Sequence, residues 1–153
     1  MINETELKKF IFESGKHTYA SGDASIKTKE ADGSTTIVYT DGRYKVHDNY
    51  FGGEPYGGRE VIFLDDKAIW MMVYYGWVKE GVNRSEQYAF LMEALLKAPE
   101  DVPYRGPALY EKGNLKYENT FSGEVGQFSG TEKIFQDGVC VYEARYVGGY
   151  VDQ

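Results

Sequence analysis

Apolar residues recur at helical spacing in two places along the chain; elsewhere they alternate or cluster as strands do. In NETELKKFIFESG, Leu7, Phe10 and Ile11 fall on one helical face, Asn3 and Glu6 have capping-box spacing, and Gly15 is placed to end the helix. In NRSEQYAFLMEALLKAP, Asn83 and Glu86 repeat the cap. Tyr88, Leu91, Met92, Leu95 and Leu96 then follow at i, i+3, i+4, i+7 and i+8, and Pro99 stops the helix. REVIFLDDKAIWMMVYYG and TEKIFQDGVCVYEARYVGG each read as two strands joined by a tight turn, at Asp65-Asp66 and Asp137-Gly138. Asp41-Gly42 reads as a third such turn and ADGSTT as a fourth. With no long helix between neighbouring strands, the pairing is expected to be antiparallel.

The stretch NYFGGEPYGGREVIF has the glycines of a ligand cradle, yet it fits neither the Walker pattern nor G-x-G-x-x-G. Its partner elsewhere in the chain explains it better. YFGGEPYGGREVIFLDDKAIWMMVYYG aligns with TFSGEVGQFSGTEKIFQDGVCVYEARYVG, given an insertion after Glu124. Phe51 meets Phe121, Gly58 meets Gly130, Glu60 meets Glu132 and Tyr74 meets Tyr146. The glycines are then expected at a bent strand pair. The expectation is one α+β domain over residues 1–153 with an internal duplication, of about 3–78 and 83–149. Its two similar helix-plus-antiparallel-strand halves would form a curved sheet with two helices on one face.

Treating both acidic turns as plain two-residue loops sorts the strand residues into faces. Ile62 would oppose Ile69, Glu60 would oppose Met71, and Glu132 would oppose Glu143. One face then carries Glu60, Met71, Val73, Tyr75, Glu132, Glu143 and Arg145. The other carries Val61, Phe63, Trp70, Met72, Tyr74, Phe135, Tyr142 and Tyr146, and is expected to pack on the helices. MMVYY, apolar on both sides, is expected to be covered on both faces. Like charges directly opposite on a sheet repel, so the acids on the first face need a cation, a ligand or a raised pKa, unless they are simply solvated surface pairs.

Composition narrows the chemistry. The net charge is −7 and the pI about 4.9, without a run of Lys or Arg, which argues against nucleic acid or a membrane surface as partner of this chain alone. Fourteen tyrosines supply half-buried rings with polar tips. One cysteine, Cys140, excludes an intrachain disulfide; mid-strand, it reads as a small core residue. With no leader-like start and no apolar run near the roughly 20 residues of a membrane span, a soluble, cytoplasmic chain is expected. His47, near Asp48 and Glu54, and the weaker His17 give no metal site by spacing, and no cofactor motif occurs. PYRGP is a rigid turn that joins helix to strand or presents Tyr104 and Arg105 to an anion.

TYASG, YFGGEPYGGREVIF, IWMMVYYG and PYRGP together resemble a family of small bacterial domains of unknown function, found alone or C-terminal to an Xre-type helix-turn-helix. The resemblance runs from about Leu7 to Gly149. It implies an effector-sensing role by analogy and carries over no catalytic residue. This chain departs from the regulator arrangement, because its first helix begins near residue 3. The residues expected to bind a small molecule are Tyr56, Arg59, Glu60, Tyr75, Tyr104, Arg105, Glu132, Glu143 and Arg145. Replacing Glu60 and Glu132 by Gln is expected to leave stability unchanged or raise it. The alternatives are a protein-interaction or homodimerisation module, through an open edge or the apolar face, and an acid–base enzyme on a small polar substrate.

Overall fold

The computed structural model describes residues 2–152. Helix α1 (Glu4–His17) opens on Asn3, whose side-chain oxygen accepts from the Thr5 and Glu6 amides at 3.1 and 3.3 Å. It runs past Gly15 to His17 and buries Leu7, Phe10 and Ile11. Two short 3-10 turns (Tyr19–Ser21 and Ala24–Ile26) lead into the strands. These are β1 (Thr28–Lys29), β2 (Thr35–Asp41), β3 (Tyr44–Phe51), β4 (Tyr56–Leu64) and β5 (Lys67–Val78). Helix α2 (Arg84–Leu95) follows, capped by Asn83, and then β6 (Leu109–Lys112), β7 (Leu115–Glu124), β8 (Gln127–Gln136) and β9 (Val139–Tyr150).

The fold is α+β: the strands form one curved nine-stranded antiparallel sheet, in the order β1-β2-β3-β4-β5-β9-β8-β7-β6. The order runs outward in both directions from the central β5–β9 pair, where Tyr74 lies opposite Tyr146. Leu7, Phe10 and Ile11 of α1 pack with Ile62, Trp70, Met72 and Tyr74. Phe90, Leu91 and Ala94 of α2 pack with Ile134, Tyr142 and Ala144. The buried face of α2 is rotated from the expected one. Gln87, Phe90, Leu91 and Ala94 point inward, while Leu96 is 46% exposed.

One irregularity, present in both hairpins, overturns the expected faces. The tight turns are as expected, with positive φ at Asp65, Asp66, Asp137 and Gly138. Beyond them the register shifts, between Ile62 and Phe63 and again between Ile134 and Phe135. Ile62 therefore faces Trp70 and Glu60 faces Met72; Ile134 faces Tyr142 and Glu132 faces Ala144. A one-residue shift exchanges the two faces of a strand. Glu60 and Glu132 consequently point toward the helices with Trp70, Met72, Tyr74, Tyr142 and Tyr146. Glu143, opposite Lys133, stays on the other side. Val61, Phe63 and Phe135 leave the expected core face; Phe63 and Phe135 lie instead beneath Lys45 and Lys116. Cys140, opposite Phe135, is half-buried. MMVYY is covered on one side only, since Val73 and Tyr75 are 44% and 52% exposed.

Candidate functional site

Where both helices end above the sheet, they leave a cavity of about 270 Å³. Its floor is Asp48 of β3, Tyr56 and Glu60 of β4, and Met72 and Tyr74 of β5. The cover comes from the C-terminal turn of α1, from Tyr19, and from Tyr88 and Leu95 of α2. Gly52, Gly53 and Arg105 complete the wall. The glycine stretch is not a bulge within the strands as expected: Gly52 and Gly53 lie in the connection between β3 and β4, whose ladder runs without a register shift, and there they border the cavity.

Local sequence explains the placement. Asp48 and Glu60 are directly opposed across the β3–β4 ladder, which sets their Cβ atoms about 4.5–5.5 Å apart. Gly76 lets Tyr56 lie flat across the sheet, because a Cβ there would stand 2.7 Å from the Tyr56 hydroxyl and 2.8 Å from the Ala144 Cβ. Arg105 has φ of 91°, a left-handed backbone that costs a non-glycine residue on the order of 1–3 kcal/mol. The loop is tied down in return. The Gly106 amide donates to the Tyr117 hydroxyl at 3.0 Å, and the Asn119 side chain donates to the Gly106 carbonyl at 3.0 Å.

Glu132, wholly buried, is saturated with donors. Arg105 Nε donates to its Oε1 at 3.0 Å, Tyr142 to Oε1 at 2.9 Å and Tyr117 to Oε2 at 2.6 Å. The Tyr142 hydroxyl, committed to Glu132, accepts in turn from Tyr56. Asp48 is 5% exposed and takes one hydrogen bond, from the Tyr74 hydroxyl. Burial pushes the Asp48 carboxyl up to about 6, the Tyr74 bond offsetting only part of that effect. Glu60 lines the cavity and, among the described residues, has neither a hydrogen-bond partner nor an ion pair. Desolvation, then the Asp48 charge, push it up to about 8. Tyr56 is raised to about 12 by burial.

Of the residues expected from sequence, Tyr56, Glu60 and Arg105 line the cavity, and Glu132 holds Arg105 from below. The others are elsewhere. Tyr104, 2% exposed, stacks on Phe128 in the core, with ring centroids 4.5 Å apart. Arg59, Tyr75, Glu143 and Arg145 belong to the opposite side of the sheet, where the Arg145 Nε bonds Glu143 at 3.0 Å. Asp48, Tyr74, Tyr19 and Tyr88 were missed, although alternation in KVHDNYF puts Val46, Asp48 and Tyr50 on one face. Among the described residues no group of three His, Cys, Asp or Glu side chains is placed to hold a metal ion, and no helix is long and apolar enough to cross a membrane.

Residues 48–151, from Asp48 through Glu60, Arg105 and Glu132 to the end of β9, match the family described as a domain of unknown function, DUF5680. The chain belongs to the DUF5680 family. No curated protein and no solved structure matches the chain. The DUF5680 match takes in every ionisable floor residue of the cavity, while α1 and Tyr19, part of its cover, precede it.

Proposed function

We propose that this DUF5680 protein is a small-molecule binding domain, acting in the cytoplasm, whose ligand sits in the cavity between the sheet and the two helices. One observation carries the reading: Glu60, a carboxyl without an internal partner, faces a cavity that also holds Asp48, Arg105 and tyrosine rings. Glu60 is only partly exposed, and an acid left unpaired in such a place costs stability that a ligand satisfying it recovers. The matched positions of the two halves support reading the chain as a duplication in which one copy kept an open site. Both hairpins share the same bulge, and Asp48 facing Glu60 corresponds to Asn119 facing Glu132. In a relative carrying a helix-turn-helix, as the resemblance implies for bacterial regulators, such a ligand would be an effector.

The test is native mass spectrometry of freshly purified protein, paired with thermal shifts against a library of compact polar molecules. An extra mass lost on denaturation, or a ligand whose shift disappears in Glu60→Gln, is expected. Bare protein with no ligand-dependent shift would overturn the reading. A second reading rests on the other face, where Val73, Tyr75 and Val147 are exposed at 44%, 52% and 56%. It makes that surface an interaction or homodimer face, and sedimentation as a concentration-independent monomer would remove the homodimer form.

A further inference from the structure

We infer that the cavity takes a compact organic molecule bearing one protonated amine, with the ammonium between the Asp48 and Glu60 carboxyls and the body against the tyrosine rings. The inference rests on the binding reading above and adds the charge of the ligand. The local charges decide the class. Arg105 is committed to Glu132, so that pair cancels within the wall of the cavity. The rim lysines form no ion pair with the acids: Lys16 is held by Glu13 at 3.1 Å, and Lys27, 5.7 Å from the centre of the Tyr19 ring, acts on Asp48 only as a weaker, more distant charge. Among the described residues, Asp48 and Glu60 therefore share one space without an ion pair of their own, Arg105 bearing on both only at longer range. Once both acids are ionised, above about pH 8, an anion would add to their repulsion and a neutral alcohol would leave it in place. An ammonium removes it and can hydrogen-bond to both.

The rest of the lining fits the same occupant. Tyrosine faces attract a desolvated cation, and Ile11, Met72 and Leu95 offer an apolar bed for its body. The volume, about 270 Å³, is just below the roughly 300–1,000 Å³ of ordinary small-molecule sites, which keeps the molecule small. The ionisable groups sharing the cavity with Glu60 are Asp48, Tyr19, Tyr56, Tyr74, Tyr88, Arg105, Lys16 and Lys27. Between pH 6 and pH 8 the two acids, raised to about 6 and about 8, are the ones that change charge. Ammonium binding is therefore coupled to proton release and tightens over that interval.

Three probes of one shape separate the possibilities: benzylamine, benzyl alcohol and benzoate, titrated into the intact chain and followed by amide NMR at Gly15 and Gly53. Benzylammonium is expected to bind about tenfold or more tightly than the other two, to lose about tenfold in Glu60→Gln and in Asp48→Asn, and to tighten with pH through Glu60's titration. If benzyl alcohol or benzoate binds as well as benzylammonium, or if Glu60→Gln leaves affinity unchanged, the amine inference falls while a binding cavity stands. If none of the three perturbs these amides at millimolar concentration, the binding reading falls, and the inference with it.

Discussion

Asp48 and Glu60 on one side of the central strand pair, and Asn119 and Glu132 on the other, hold like places in the sheet. Each glutamate sits one ladder position across from its polar neighbour, and each neighbour accepts from a tyrosine of the central pair, Tyr74 or Tyr146. Their surroundings differ. Glu132 has Arg105, Tyr117 and Tyr142, whereas the position equivalent to Tyr117 is Val46, and among the described residues Glu60 has no donor. Asn119 is neutral where Asp48 is an acid. One arrangement closes on itself and serves the fold; the other leaves charge facing a cavity. The difference shows that a carboxyl facing a cavity is a functional lead when its partners are missing, and a buried one an architectural element when they are complete.

The largest expected effect comes from breaking the closed side. Arg105→Ala leaves the Glu132 carboxylate buried without its cation and should cost about 3–5 kcal/mol in urea unfolding, since alanine does not relieve the left-handed backbone either. Glu132→Gln should destabilise as well, because Arg105 then loses its counter-charge. This separates the two replacements that the sequence alone treated as equivalent.

The open side should respond with the opposite sign. Glu60→Gln should stabilise the ligand-free protein at pH 8–9 by on the order of 2–4 kcal/mol. The sign follows from the raised pKa. Glu60 ionises near 4.5 when unfolded but near 8 when folded, so the folded state holds the extra proton between these values. Wild-type stability is thus intact below the lower value and is lost as pH rises through the upper one. The advantage of Glu60→Gln should vanish in acid, as parallel unfolding curves at several pH values would reveal.

Making the closed side resemble the open one gives a smaller change. Asn119→Asp puts a second carboxyl opposite Glu132 and removes the donor to the Gly106 carbonyl. A loss of about 1–3 kcal/mol is expected, shrinking as pH falls. Smallest of all, Val73→Thr with Tyr75→Thr on the exposed face should change monomer stability by about 0.5 kcal/mol or less per site. A larger loss at high concentration would indicate a second copy covering that face.

Much of this comparison was legible in the sequence. Both caps and the two acidic hairpin turns followed from local chemistry, and aligning the chain with itself set Glu60 against Glu132, each of which faces a polar residue, Asp48 or Asn119, across its ladder. The faces were not, because the bulge at Ile62/Phe63 lies in VIFL, apolar on both sides, and the bulge at Ile134/Phe135 splits two adjacent apolar residues, either of which could face the core. In IWMMVYYG no alternation distinguishes inside from outside, so a one-residue shift leaves no mark. The third turn also moved by one, to Gly42-Arg43. The cavity itself depended on distant elements. Arg105 reaches Glu132 across 27 positions of sequence, and neither the helix ends nor Tyr19 announce that they meet above Asp48.

Carboxyl carbon-13 NMR of the ligand-free protein, with Glu60 assigned by its loss in Glu60→Gln, tests the contrast most directly. The account predicts a Glu60 midpoint near pH 8, displaced further by Asp48 than by any other neighbouring charge. A midpoint in the ordinary carboxylate range, near 4.5, would mean that Glu60 is solvated or paired after all, and would contradict the open, uncompensated site.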